Sequence, residues 1–133
     1  MKDQQKQIAQ QCSQGVENNA MDFPEVVRQL IQAGFDRYLV DFCKSSVTYY
    51  LPCGDNLTLE FSREEISIPE KFDVDVIKKT ILAAQMKAEN YTYKWFCKKV
   101  MEAGCAGYIV SLLGKRVVYF GRTGETHVEY FPK

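Results

Sequence analysis

The chain lacks most of the residue patterns that mark a known chemistry. It has one histidine, His127, which excludes a metal site built from several histidines. It contains no P-loop, no G-x-G-x-x-G, no H-E-x-x-H and no pair of catalytic carboxylates. Its five cysteines form no C-x-x-C pair, so neither a zinc site nor a disulfide framework is predicted. These absences predict no metal and no cofactor, and they favour a role other than catalysis.

The chain also lacks an excess of charge and a long apolar run. Lys and Arg number 17, Asp and Glu number 17, and the formal net charge is zero, which argues against a general binder of polyanions. No apolar stretch approaches the roughly 18 residues of a membrane helix. We therefore expect a cytoplasmic protein that contacts no membrane.

What the chain does contain is an internal repeat. At an offset of 70 residues, 23–61 aligns with 93–131 without a gap. The identical pairs are Ala33/Ala103, Gly34/Gly104, Tyr38/Tyr108, Val40/Val110, Val47/Val117, Tyr49/Tyr119, Gly54/Gly124 and Phe61/Phe131. The alignment predicts a duplicated unit with a pseudo-two-fold axis.

Hydrophobic periodicity predicts two helices and then three strands in each repeat. In the first repeat, helices are predicted at 2–19 and from Asp22 to Gly34, and strands at 37–43, 47–51 and 57–61. In the second, helices are predicted from Asp73 to about Glu89 and from Thr92 to Gly104, and strands at 108–113, 116–120 and 126–131. Asp22 and Thr92 are candidate N-caps, as are Asp3 and Asp73, and Asn90 is a predicted helix breaker.

This pattern predicts an α+β fold with an antiparallel sheet and helices packed on one side. The 133 residues are expected to form one domain built from two repeats, about 1–61 and 73–131. A charged connector, 62–72, joins them, with a short extended piece expected at 66–68. If Met21 rather than Met1 were the true start, the first helix would be dispensable; the sequence leaves this open.

A polar cluster near the C-terminus is the candidate binding site. His127 and Glu129 align with Leu57 and Leu59, so titratable groups stand where the first repeat has apolar ones. Both lie on one face of a predicted strand, and Arg122 and Glu125 lie in the turn before it. The carboxylate could orient the imidazole for acid–base work, or Arg122 could help to hold an anion. The alternative is a strand surface that faces solvent or a partner.

The repeat also predicts the environment of the cysteines. Cys97 aligns with Val27 and Cys105 with Phe35, which predicts that both thiols lie in the core. Cys53, in a predicted turn, is the thiol expected to be most exposed.

A basic helix face offers a further hypothesis. Lysines at 87, 94, 98 and 99 lie near Tyr91, Tyr93 and Trp95, an arrangement that could hold single-stranded nucleic acid. Glu89 and Glu102 interrupt the face and the net charge is zero. These facts favour an ordinary solvated helix surface.

Two stretches, AGCAGYIVSLLGKRVVYFGRTGETHVEYFP and VVRQLIQAGFDRYLVDF, resemble the YdfO-like family of small bacterial, often prophage-borne, proteins. The resemblance spans nearly the whole chain, and its most specific part is the glycine-arginine turn followed by Gly-Glu-x-His. It implies a compact α+β domain in the host cytoplasm and implies no activity.

Three functions remain open at this point. The first is a non-enzymatic module that binds a host or phage protein, as a monomer or homodimer. The second is a small-ligand binder or enzyme that uses Arg122, Glu125 and His127, which predicts a concave pocket reached by all three side chains. The third is a weak binder of single-stranded nucleic acid.

Overall fold

The structure is a computed structural model that describes residues 1–62, 64–87 and 91–132. Within them the first repeat forms α1 (Asp3–Glu17), α2 (Phe23–Ala33), β1 (Arg37–Asp41), β2 (Ser46–Tyr50) and β3 (Asn56–Glu60). The second forms α3 (Val74–Gln85), α4 (Tyr93–Glu102), β4 (Cys105–Ser111), β5 (Arg116–Gly121) and β6 (Thr126–Tyr130). The predicted α+β fold and its helix-helix-three-strand repeat are confirmed.

The two repeats join edge to edge in one antiparallel sheet. The strand order is β3-β2-β1-β4-β5-β6, so β1 and β4 meet at the centre. Leu39 pairs with Ile109 in that central register, and these two residues are 70 positions apart. The pseudo-two-fold axis therefore passes between Leu39 and Ile109.

The predicted caps explain where most helices begin. The Asp22 carboxylate accepts a hydrogen bond from the Glu25 amide at 3.1 Å, and the Thr92 hydroxyl accepts one from the Trp95 amide at 3.0 Å. Asp73 caps α3 in the same way. The prediction that Asp3 is an N-cap is wrong. Lys2 is the N-cap of α1, and Asp3 lies in the first turn of the helix.

The core lies between the sheet and the helices. Strand side chains alternate between two faces, and the face that carries Tyr38, Val40 and Tyr119 is buried beneath the helices. On the opposite face, Leu39 and Ile109 are half-buried. Helices thus cover one side of the sheet, as predicted.

Some local features depart from the simple pattern. Ile31 on α2 directly follows the buried Leu30, yet its side chain is 46% exposed. The connector contributes Ile68 and Phe72 to the core, although residues 66–68 do not pair as a strand. The helix α3 ends at Gln85, with Met86 as its C-cap, so the predicted extension to about Glu89 is wrong. The predicted breaker Asn90 lies outside the described residues, so that prediction stays open.

No helix among the described residues is both long enough and apolar enough to cross a bilayer.

Candidate functional site

Two members of the predicted cluster, His127 and Glu129, meet on β6. The His127 Nε2 atom lies 2.8 Å from the Glu129 Oε2 atom. The imidazole also stacks on the Tyr119 ring, with 6.5 Å between ring centroids and 24° between the ring planes. The side chain of His127 is 13% exposed and that of Glu129 is 33% exposed. The pair therefore lies on the helix-covered side of the sheet and not on an open strand surface.

The other two members of the cluster have separate partners. The Arg122 Nη1 atom donates a hydrogen bond to the Ile68 carbonyl at 3.2 Å, so this side chain holds the connector. Glu125 accepts a hydrogen bond from the Thr123 hydroxyl at 2.8 Å. Within the described part of the chain, no hydrogen bond or ion pair joins Arg122 or Glu125 to the His127–Glu129 pair. A binding role for these four residues stays a prediction.

A cavity of about 840 Å³ lies between the sheet and the helices, and sequence reasoning missed it. We call it the tyrosine cavity. Both repeats contribute to its wall, and Glu129 is the one member of the predicted cluster that lines it. Its aromatic and aliphatic lining includes Tyr38, Tyr49, Tyr93, Tyr108, Tyr119, Val26, Val47, Val117, Ile81 and Phe96. The cavity is therefore mainly apolar. Its polar lining comprises phenolic hydroxyls, the side chains of Ser13, Asn19 and Gln85, and a few charged groups.

The floor of the tyrosine cavity is two matched pairs of cross-strand tyrosines. Tyr38 pairs with Tyr49, with ring centroids 5.5 Å apart and planes at 37°. Tyr108 pairs with Tyr119, also at 5.5 Å, with planes at 45°. Their recurrence at an offset of 70 residues was the available sequence signal, but it indicated only packed rings.

Burial keeps these phenols protonated. Desolvation raises the pKa of Tyr38 and of Tyr108 well above the ordinary value. It also raises the pKa of Tyr49 and of Tyr119. At neutral pH the floor therefore offers uncharged hydroxyls that can donate or accept a hydrogen bond.

The charged groups of the tyrosine cavity form its rim, which we define as Glu17, Asp22, Lys87 and Glu129. Lys87 Nζ lies 3.4 Å from Asp22 Oδ2, and both side chains are at least half exposed. Glu17 accepts a hydrogen bond from the Ser62 amide at 2.6 Å. Among the residues that the structure describes, three carboxylates and one ammonium make the rim acidic, whereas the floor has no charged side chain.

A comparison with protein families finds a match over most of the chain. A model described as "Protein of unknown function (DUF1398)" matches residues 10–129, which include most of both repeats. The chain belongs to the DUF1398 family. No curated protein matches the chain. The family assigns no activity, and the YdfO-like resemblance and a prophage origin stay predictions.

The cysteines of this DUF1398 chain behave as the repeat predicts. Cys97 and Cys105 are buried, and burial raises the pKa of each thiol to about 12. Cys43 and Cys53 are exposed. In the part of the chain that the structure describes, no group of three His, Cys, Asp or Glu side chains could hold a metal ion.

On the basic face of α4 the lysines are exposed to solvent, whereas the nearby aromatic rings pack against other rings. Lys98 and Lys99 are exposed, and Lys94 lies 3.7 Å from Glu64. Tyr93 stacks on Phe96 at 6.3 Å, and Tyr91 packs edge-on against Trp95 at 6.2 Å. Nucleic-acid binding stays a prediction, because Tyr91, Tyr93 and Trp95 are half-buried and form no exposed stacking platform in the described part of this face.

Proposed function

We propose that this protein binds a small, mainly apolar molecule in the tyrosine cavity. The observation that carries this proposal is the space itself: about 840 Å³, walled by buried aromatic side chains from both repeats. Ligand pockets typically measure about 300–1,000 Å³ and are lined by hydrophobic residues with a few polar groups.

Ordinary core packing does not account for a space of this size. Protein interiors pack at about the density of organic crystals, and few of their voids exceed one water molecule. The side chains around the cavity are large, and Tyr38, Tyr49 and Tyr119 are each less than 10% exposed. Rings of this size could fill a core if the helices lay closer to the sheet, so the open space supports a role in binding.

A cavity-filling variant tests the proposal. Ala84 on α3 lines the cavity, whereas its neighbour Ala83 is not among the lining residues, and both are half-buried. The probe is N-phenyl-1-naphthylamine, a neutral dye whose fluorescence rises in apolar sites. We expect the wild type and Ala83→Trp to bind the dye, and Ala84→Trp to bind it at least about tenfold more weakly, the equivalent of about 1.4 kcal/mol.

Thermal unfolding of both variants controls for loss of the fold. The proposal fails if the wild type does not bind the dye, or if folded Ala84→Trp binds it as tightly as Ala83→Trp does.

A second candidate function is contact with another protein. Leu82 and Met86 lie four residues apart on α3 and are 54% and 72% exposed. Apolar side chains at this spacing on one helix can dock into the groove of a partner. The resemblance to prophage-borne proteins would make a host protein the partner.

We expect a Leu82→Lys and Met86→Lys double variant to lose a partner that the wild type retains from a host lysate. Lys78→Ala, at an exposed polar position of the same helix, is the matched control. Equal retention by wild type and double variant, or retention of nothing by a monomeric wild type, would argue against this candidate.

A further inference from the structure

The two repeats do not contribute equivalent hydrogen bonds to the tyrosine cavity. The Tyr93 hydroxyl lies 2.6 Å from the Tyr108 hydroxyl, so these two phenols satisfy each other. The matching residues of the first repeat, 70 positions earlier, are Phe23 and Tyr38. Phe23 has no hydroxyl and packs edge-on against Phe131, at 5.3 Å between centroids and 84° between planes. Tyr38 therefore lacks the partner that Tyr108 has.

The second tyrosine pair, Tyr49 and Tyr119, has no bond of the kind that joins Tyr93 to Tyr108 among the residues that the structure describes. Tyr119 lies opposite Tyr108 across the strands, and its ring packs against the His127 imidazole, with 6.5 Å between ring centroids. The hydroxyls of Tyr38 in the first repeat and Tyr119 in the second are thus left without the kind of partner that Tyr108 has.

The hydroxyls of Tyr38 and Tyr119 are open to the cavity. Neither hydroxyl has a hydrogen-bond partner among the residues that the structure describes. Every fully buried polar side-chain atom in that part of the chain does have a partner. The Tyr38 and Tyr119 hydroxyls are therefore not fully buried, and since both residues line the tyrosine cavity, solvent reaches them there.

Charge narrows the class of ligand further. In the described part of the chain, the rim has three carboxylates and one ammonium, and that ammonium is engaged with Asp22. From these described groups, an anionic ligand would meet net repulsion on entry, and no cation would meet it at the floor. The rings of the wall favour an aromatic body, since aromatic pairs add to the energy of area burial.

We infer that the ligand is a neutral aromatic molecule whose carbonyl or hydroxyl oxygen hydrogen-bonds to the Tyr38 and Tyr119 hydroxyls. This inference rests on the proposed function, because it names the ligand class of the same cavity. An oxygen of this kind would supply Tyr38 with the hydrogen-bond partner that Phe23, which has no hydroxyl, does not provide.

Three naphthalenes of similar size test the inference on the intact protein by calorimetric titration. The ketone 2-acetylnaphthalene carries the acceptor oxygen, 2-ethylnaphthalene replaces it with a methylene, and 2-naphthoate carries a charge. We expect the ketone to bind on the order of tenfold more tightly than the hydrocarbon, as one well-placed hydrogen bond would allow. The naphthoate should bind most weakly.

Variants then assign the preference to particular hydroxyls. Tyr38→Phe and Tyr119→Phe keep the ring and remove one hydroxyl each, so the fold should survive, and each should shrink the preference for the ketone. The double variant should abolish it. Tyr108→Phe is the matched control, because the Tyr108 hydroxyl also lines the cavity but already has Tyr93 as its partner. It should keep the preference.

The possible failures are distinguishable. If ketone and hydrocarbon bind the wild type equally, or if Tyr38→Phe/Tyr119→Phe keeps the full preference, the hydrogen-bonding inference is overturned while apolar binding stands. If the naphthoate binds most tightly, the neutral class is wrong. If no naphthalene binds and N-phenyl-1-naphthylamine also does not, the proposed function falls with it.

Discussion

Gly34 and Gly104 hold the same position in the two repeats and have nearly the same backbone, with φ of 96° and 95°, but different surroundings. A Cβ atom added at Gly34 would meet only the Gln5 Nε2 atom, at 3.6 Å. One added at Gly104 would lie 2.0 Å from the Lys71 carbonyl oxygen. The connector crosses the second helix end, whereas no backbone among the described residues comes as close to the first.

This difference predicts unequal costs for the same substitution. Gly34→Ala should lower the free energy of unfolding by about 1 kcal/mol, the cost of a left-handed conformation for an L-residue. Gly104→Ala adds a clash with backbone that must move, so its cost should be about 3 kcal/mol. Urea unfolding of the two variants measures both values. Equal losses would contradict the close approach at Lys71.

Stability should decline at alkaline pH because of the buried thiols. A thiol is neutral when protonated, and burial raises the pKa of Cys97 and of Cys105 from 9.0 to about 12. Above pH 9 the unfolded chain releases these protons while the folded chain keeps them. The free energy of unfolding should therefore be intact below pH 9 and fall towards pH 12, by at most about 1.4 kcal/mol per pH unit for each thiol.

Cys97→Val isolates this effect, since the matching residue of the first repeat is Val27. Urea unfolding at pH 8 and pH 10.5 should show a shallower decline for Cys97→Val than for the wild type. The exposed Cys53→Ser variant is the control and should decline as the wild type does. If the stability of Cys97→Val declines as steeply as that of the wild type, the buried Cys97 thiol is not a cause of the alkaline loss of stability.

The His127–Glu129 pair should be dispensable for folding. The matching residues, Leu57 and Leu59, are half-buried in the first repeat and pack against the core. Replacing a partly buried polar pair by apolar residues is often neutral or stabilising, whereas removing one partner leaves the other unsatisfied. We expect His127→Leu/Glu129→Leu to keep or slightly raise the melting temperature, and Glu129→Leu alone to lose about 1 kcal/mol. A double variant less stable than the single one would refute this.

Removal of residues 1–20 should destabilise the protein strongly. In α1, Ala9 and Cys12 are fully buried, and the Gln5 amide donates to the Ala33 carbonyl at 2.9 Å. Loss of these contacts would uncover the core and the C-terminal end of α2, at a cost of several kcal/mol. A chain that starts at Met21 should therefore show no cooperative thermal transition.

Gln10→Ala, at an exposed position of the same helix, is the control for that truncation. It removes no buried contact, so it should change the free energy of unfolding by less than about 1 kcal/mol. Cooperative unfolding of the chain from Met21 would instead support the dispensability of α1.

Local chemistry in the sequence was enough to predict the elements and their duplication. Asp22 and Thr92 begin helices because a short polar side chain accepts from a free backbone amide, and that rule depends only on neighbouring residues. Side chains alternate between the two faces of a strand, and this rule also depends only on neighbouring residues. It assigns Tyr38 and Val40 to the buried face and Leu39 to the other. The same rule places His127 and Glu129 on one face of their strand, and the structure brings those two side chains together.

Contacts between distant segments decided the rest. Arg122 could not be assigned from the sequence to Ile68, because the connector that carries Ile68 has no periodic pattern to position it. The repeated tyrosines predicted buried rings, but a buried ring can face a packed core or an open cavity. Which one it faces depends on how far the helices lie from the sheet, and the packing of whole elements sets that distance. The sequence alone therefore determined the duplicated scaffold, and only the tertiary structure decided that the scaffold encloses a cavity.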